Sequence, residues 1–424
     1  MVRVRSGLAA ATTAVALATL VSGCGSSGGS AATSGGATQI TVWHYWDGKN
    51  ADTFSAMVAQ YEKAHVGTTV KVVTVPGADL PTKLQAALSS RTTPDIAIGD
   101  LVNVPKLAQT GRLVDLKPLI GASTWSDMYP AMLSFGAQGG KQVSIPVSAN
   151  DLGLIYNKTL LAQAGIAAPP KTWDEVRTDS AAIRAKTGKP GFELFTQAGD
   201  NGEGLTWNFQ VSLWQAGGEF LDADNTKAAF NTPAGQRALQ YWVDLVQAKD
   251  SPLGPWGAFE KGNAASAQEG SWMVGIWAKD APFQFGTAPI PAPADGQAAT
   301  NLGGEQAVVF ASDDARQKAA ADFLTWFDDP AQNQSWSQET GFLPVRKSVA
   351  TSPAYAQFLT AKSPQSKPFV EALPTAHARP NTPKYADASL AFAKQIEKAL
   401  YGKSSVPDAL SAAEKDVNQV LAGS

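Results

Sequence analysis

The chain has 424 residues, too many for one compact core, so two or three domains are expected. Hydrophobic residues make up 44% and charged residues 17%, which excludes a disordered chain and a multispan membrane protein. The formal net charge is −3, with no basic patch or long run of like charge, and this argues against a nucleic-acid partner.

Residues 1–23 read as a leader rather than as part of the fold. Arg3 and Arg5 precede the apolar run Leu8 to Val21, which is too short to span a bilayer but suits a signal peptide. Val21-Ser22-Gly23-Cys24 resembles a bacterial lipobox, in which Cys24 is lipidated and becomes the mature N-terminus. The alternative is ordinary secretory cleavage with a stray cysteine. Cys24 is the only cysteine, so an intramolecular disulfide is impossible. Gly25 to Thr38 contains only Gly, Ser, Ala and Thr and reads as a flexible tether, with a reach of roughly 20 Å. The expectation is a protein lipid-anchored to the outer face of the bacterial cytoplasmic membrane.

In chain order, Ile40 to Trp46 reads as a strand that ends in aromatic and polar groups. Asp52 or Thr53 is expected to cap a helix carrying Phe54, Met57, Val58 and Tyr61 on one face. Val70 to Val75 is a β-branched strand. Leu80, Leu84 and Leu88 recur at helical spacing, and Ile96 to Ile98 is another strand. This β-α-β-α-β order predicts a parallel sheet covered by helices. In such a sheet ligands favour the carboxyl ends of strands, which draws attention to His44, Tyr45, Trp46, Asp47 and Asp100.

The stretch Ile145 to Lys158 divides the chain. Pro146 biases its neighbour toward extended backbone, and Leu152 to Tyr156 is an apolar run too brief for an ordinary helix. Between them Ser148-Ala149-Asn150-Asp151 is small and polar. It suits either a crossing between two lobes or a surface bend.

The α/β alternation is expected to restart beyond this point. Leu160 and Leu161 lie in a short helix stopped by Gly165, and Thr172 to Glu175 is a capping box. Thr232-Pro233 starts a helix with Ala238, Tyr241, Trp242, Leu245 and Val246 on its buried stripe. Ala319 to Phe327 marks another. Asp329-Pro330 starts the next, which Gly341 ends. Residues 384–421 read as two helices around Gly402.

Several motifs, weak singly, are specific in their order. They are Thr41-Val42-Trp43-His44, Leu154-Ile155-Tyr156-Asn157-Lys158, Pro170-Lys171-Thr172-Trp173, Trp214-Gln215-Ala216-Gly217-Gly218, Leu302-Gly303-Gly304, Thr340 to Lys347, and Arg379-Pro380-Asn381-Thr382-Pro383. With them the chain resembles the extracellular solute-binding proteins of ABC importers, in the family that takes sugars and glycerol phosphates. The resemblance implies an α/β, two-lobe periplasmic-binding-protein-like II fold with hinge crossings and a ligand cleft between the lobes. It places residues 39–148 plus about 305–361 in lobe 1, and 149–304 plus about 362–424 in lobe 2. It further implies a monomer that closes around its ligand and hands it to membrane permease subunits driven by a cytoplasmic ATPase.

A sugar offers hydroxyls at its edge and C–H groups on its faces, so a site needs flat aromatic surfaces and polar partners. By similarity to maltose-type binders, Trp207 and Trp272 stack on sugar, whereas Trp242 and Trp326 sit on helix stripes and belong to the core. The family places ligand contacts at Tyr45, Trp46 and Asp47, and an acidic or amide group at Asn150, next to Asp151. Asp100 is either a contact or a helix cap, and His44 is structural more often than ligating. Gly303 and Gly304 either expose backbone N–H groups to a ligand or form a plain turn. Arg379 lies in a loop that faces the cleft in related proteins, or is a surface arginine.

No cofactor or metal is called for: His44, His65 and His377 are far apart in sequence, and there is no G-x-S-x-G elbow or phosphate loop. Three readings remain. The first is a receptor for a di- or oligosaccharide. The second is a receptor for glycerol-3-phosphate or a glycerophosphodiester. The third is a secreted glycosidase using two acids drawn from Asp47, Asp100, Asp151 and Glu305. Phe342 stands where the phosphate binders carry a tyrosine hydroxyl, which favours the first.

Overall fold

A computed structural model describes residues 37–77, 79–199 and 201–423. Cys24 and the expected tether up to Gly36 lie outside the described residues.

The first sheet contains β1 (Thr38–His44), β2 (Thr68–Thr74) and β3 (Ile96–Asp100). Short β4 (Ala137–Gln138) and β5 (Lys141–Gln142) form a separate hairpin. The chain then makes β6 (Ser144–Pro146) and β7 (Leu152–Asn157). Further on are β8 (Ser266–Gly270), β9 (Phe285–Ala288), β10 (Thr300–Asn301), β11 (Glu305–Val309) and β12 (Ala376–His377).

The first sheet has the order β2-β1-β3-β11-β6. Its β2-β1-β3 part is parallel, as the alternation predicts, while β11 returns antiparallel between β3 and β6. Along β1 the period of two sends Ile40, Val42 and His44 into the core against the helix Gly48–Ala64. Trp43 and Tyr45 take the opposite face, toward the helix Leu80–Ser90. The Gly48–Ala64 helix begins a turn earlier than expected: Asp47 is its N-cap residue, and Asp52 and Thr53 lie inside it. Thr53 bonds back to the Lys49 carbonyl instead of capping.

The second sheet, β8-β7-β9, is antiparallel throughout, against the expectation of renewed β-α-β alternation. Between β7 and β8 lie some hundred residues with four helices and no strand of this sheet, so β8 and β9 pair with β7 from far along the chain rather than as crossover neighbours. Leu154 faces a core built with the helices Glu203–Gln215, Pro233–Gln247, Tyr385–Leu400 and Val406–Ala422. Ile155 faces the other way, toward Phe259, Trp277 and Phe369. A strand buried on both faces explains why Leu152 to Ile155 is continuously apolar.

At other helix ends the local signals hold. Thr172 and Glu175 form a reciprocal capping box, Thr232 caps Pro233–Gln247, and Gly341 takes φ 82° after Pro330–Thr340.

The two sheets are joined where Ser144 to Asn157 passes from one to the other. There Asn150 pairs with Gly303 and Ala149 with Leu343 as antiparallel bridges, so separate chain segments cross side by side. Gly304 at φ 130° packs against the first crossing: a methyl built on it would lie 2.3 Å from the Ser148 carbonyl oxygen. After the helix Pro353–Lys362 the chain reaches the second sheet, where the Phe369 ring fills the space above Gly153.

Candidate functional site at the lobe crossing

The residues singled out in the sequence converge around this crossing, with two exceptions. Trp207, on the first turns of the helix Glu203–Gln215, stacks on Trp272, with ring centroids 5.5 Å apart and planes 16° from parallel. Both are half-buried. Trp272 lies two residues beyond the end of β8 and its ring lies over Gly270, where any side chain would clash. A methyl built on Gly303 would run into Asn150 Oδ1 and reach the Trp207 ring.

Asp151 is buried at the start of β7, and its carboxylate oxygens have no hydrogen-bond partner. Burial pushes this carboxyl well above the usual range. Its backbone carbonyl accepts from Ser271 N at 3.0 Å, tying it to the residue before Trp272. The Ser271 hydroxyl and the Trp207 indole N–H are likewise buried without partners.

Tyr45 and Asp100 close the group from the first sheet. The Tyr45 hydroxyl donates to Glu305 Oε1 at 2.6 Å, and Ser148 Oγ donates to Glu305 Oε2. Burial pushes Glu305 up to about 7, the Tyr45 bond pulling the other way. The Trp46 indole also lowers it, although its N–H makes no hydrogen bond of normal geometry. Asp100 Oδ1 accepts from Val102 N at 3.0 Å, so it does cap the following turn, and it also meets Arg379 Nη2 at 3.4 Å. A cavity of about 670 Å³ opens beside Asp100 between the helices Leu80–Ser90 and Val104–Ala108; Trp207 and Trp272 do not line it.

Asp47 lies apart from this group, and Trp46 meets it only through its indole beside Glu305. Trp46 is 3% exposed and packs on Trp336 at 4.7 Å, on Phe54 and on Phe342. It continues the buried side of β1 beyond His44, which the period of two foretells. His44 has the same fate: burial lowers its pKa to about 4, and it meets Phe54 edge-on. Asp47 is exposed at the helix start.

Two other expectations change in detail. The Gly303 N–H already donates to the Asn150 carbonyl at 2.8 Å and is not free for a ligand. Arg379 is no surface arginine: its side chain is 4% exposed and both Nη groups are engaged.

Sequence reasoning missed Glu203. Its carboxylate accepts from Arg379 Nη1 at 2.5 Å, Tyr385 Oη at 3.2 Å and Ser389 Oγ at 2.9 Å. The available signal was an acid on the first helical turn, four residues before Trp207 and on the same face. Glu269 was missed as well. Burial lifts it to about 7, and it lies one residue from the Gly270 seat of Trp272. Nothing in the local sequence marks it as buried.

Among the described residues no group of three or more His, Cys, Asp or Glu side chains is placed to hold a metal, and no helix is long and apolar enough to cross a membrane.

Two α/β lobes with strands crossing between them, and aromatic and acidic groups gathered at the crossing, give the two-lobe architecture of the periplasmic sugar-binding proteins. The chain belongs to the bacterial extracellular solute-binding protein family, whose model matches residues 56–362. It is similar to the cyclic α-maltosyl-1,6-maltose binding protein of Arthrobacter globiformis, at 58% identity and a TM-score of 0.90 over 92% of this chain and all of that one. The GacH receptor of Streptomyces glaucescens, solved unliganded and with acarbose, is 26% identical at a TM-score of 0.78, over 91% of this chain and 99% of its own. The sn-glycerol-3-phosphate-binding periplasmic protein UgpB of Pectobacterium atrosepticum is 24% identical over 73% of each chain.

Proposed function

We propose that this protein captures a neutral gluco-oligosaccharide for an ABC importer, with a cyclic tetrasaccharide of the cyclic α-maltosyl-1,6-maltose class as its first candidate. The observation that carries the reading is the Trp207–Trp272 pair beside buried, unpartnered polar groups: aromatic faces for pyranose C–H groups, and hydrogen-bonding groups for hydroxyls. The 58% identity to a binder of that sugar over its full length supports the choice of ligand. Tyr45, Asp100, Asn150, Asp151 and the Gly303-Gly304 backbone would line the cleft with the two tryptophans, the lobes being residues 39–148 plus about 305–361 and 149–304 plus about 362–424.

Charge argues against a phosphate ligand. Arg379 is the cation at this crossing, and it already faces two carboxylates. Burying a dianion among Asp100, Glu203, Asp151 and Glu305 is costly without further cations. Phe342 stacks on Trp336 inside the core and offers no hydroxyl.

In this reading Cys24 carries a lipid anchor, the closed form is recognised by permease subunits, and the sugar is bound without being cleaved. Calorimetry with cyclic α-maltosyl-1,6-maltose, maltose and glycerol-3-phosphate tests it, with the sugar recovered intact after long incubation. Tight glycerol-3-phosphate binding without a response to either sugar overturns it. Fatty-acid labelling of wild type and Cys24→Ala in the native host tests the anchor; equal labelling overturns that part.

A further inference from the structure

We propose that Arg379 is a positioning residue that couples the sugar site to lobe closure: it clamps Asp100 of the first lobe while backing the Trp207 ring of the second. The inference rests on the reading of the crossing as the solute site.

Arg379 lies in the loop between β12 and the helix Tyr385–Leu400. Its guanidinium meets three different surfaces. Nη1 donates to Glu203 Oε1 at 2.5 Å, Nη2 reaches Asp100 Oδ1 at 3.4 Å, and Cζ stands 5.6 Å from the centroid of Trp207. A planar fork that is always charged suits two carboxylates and a ring at once, and an ammonium does not.

The two ion pairs differ in kind. Glu203 is held from the second lobe, because Tyr385 and Ser389 on the Tyr385–Leu400 helix donate to the same carboxylate. Arg379 is therefore tied to that helix and to Trp207, while Asn381 two residues on reaches the first lobe, donating to the Ser134 carbonyl and accepting from Gln138 Nε2, both at 2.6 Å. Asp100 ends β3 of the first sheet, and its side chain is 42% exposed. The pair that spans the lobes is thus the longer and wetter one. When the lobes part, Asp100 gains water and keeps its bond to Val102 N, while Arg379 stays paired with Glu203. Neither state strands a buried charge, so the contact can form and break with each cycle of capture. A weak bond at a partly exposed carboxylate suits a reversible latch better than a buried pair would.

Asp100→Asn tests this with little damage to the fold, because Asn keeps an oxygen acceptor for Val102 N and removes only the charge. Stopped-flow binding of cyclic α-maltosyl-1,6-maltose is expected to show dissociation about fivefold faster, with association changed less than about twofold. Arg379→Lys, which keeps the charge but not the fork, is expected to fall between wild type and Arg379→Gln. A group that only held the fold together would instead move the melting temperature and both rates without that split.

A second readout needs no ligand. Small-angle scattering of the protein without sugar is expected to give a larger radius of gyration for Asp100→Asn than for wild type, the difference shrinking at high salt. An enlarged radius in a protein that binds no sugar upholds the latch and removes the proposed ligand. Normal sugar binding with unchanged dissociation and unchanged radius in Asp100→Asn overturns the latch and leaves the ligand standing.

Discussion

Trp207 and Trp272 lie ring upon ring, 5.5 Å apart and 16° from parallel, although one lies in the second turn of a helix and the other two residues beyond a strand of the second sheet. Each is thus a stacking surface for the other. A pyranose that uses their facing sides must part them, and one that uses an outer face finds a platform already stiffened from behind. Either way, removing one ring is expected to weaken sugar binding by on the order of 2 kcal/mol, roughly thirtyfold. The Trp207→Ala,Trp272→Ala double variant is expected to lose less than the sum of the single losses, because each ring positions the other. Calorimetry on the three variants measures this. Full affinity in both single variants would remove the pair from the site.

Trp46 sets the opposite expectation. It contacts Trp336, Phe54 and Phe342 in the core, so Trp46→Ala is expected to cost about 3–5 kcal/mol of folding stability. Any sugar affinity that remains in the folded fraction should stay near wild type. Urea unfolding beside calorimetry separates the two effects; a large affinity loss at unchanged stability would return Trp46 to the cleft.

The contrast between these tryptophans shows how much was legible in the chain. Strand and helix identity came through at the capping box of Thr172, the glycine at Gly341 and the strand beginning near Ile40, though not at the cap expected from Asp52 or Thr53. The alternation that buries Ile40, Val42 and His44, carried two residues further, places Trp46 in the core, whereas its position after a strand suggested a ligand contact. What the sequence hid depends on segments distant along it. β11 inserts antiparallel between β3 and β6 from some two hundred residues away. Glu203 and Asp100 meet Arg379 from far along the chain, and no spacing rule reports such a meeting.

Gly304 tests the crossing itself. Its φ of 130° is a region that side chains rarely adopt, and a Cβ would fall 2.3 Å from the Ser148 carbonyl oxygen and 2.9 Å from Ala149 Cα. Both contacts are to backbone, so neither can swing aside. Gly304→Ala is expected to cost about 2 kcal/mol or more, and to weaken sugar binding beyond what the lost stability explains. Thermal melting and calorimetry measure the two parts. A variant with the wild-type melting temperature would show that the crossing is slack.

Glu305 makes a pH dependence with a definite sign. It is buried where the chain crosses back, holding Tyr45 and Ser148, and burial raises its pKa from 4.5 to about 7. A carboxyl with a raised folded pKa binds its proton in the native state while the unfolded chain has already lost it. The native state therefore holds more protons than the unfolded state between about pH 4.5 and 7, and this group's contribution to stability falls as pH rises through that window. This is the reverse of the usual carboxylate, whose support is lost toward acid. Glu269, also raised to about 7 by burial, adds to the same slope. A tenfold change in an acid's ionisation equilibrium is worth about 1.4 kcal/mol, so the two carboxyls together account for about 7 kcal/mol at most. Gln reproduces the neutral acid, accepting with its oxygen and donating with its amide. Glu305→Gln is therefore expected to flatten part of the decline and to raise the melting temperature at pH 7.5 relative to wild type, with little change at pH 5. Calorimetric melting from pH 4.5 to 8 decides it. A wild-type melting temperature that climbs between pH 5 and 7, and climbs equally in Glu305→Gln, would mean that Glu305 is ionised in the folded protein.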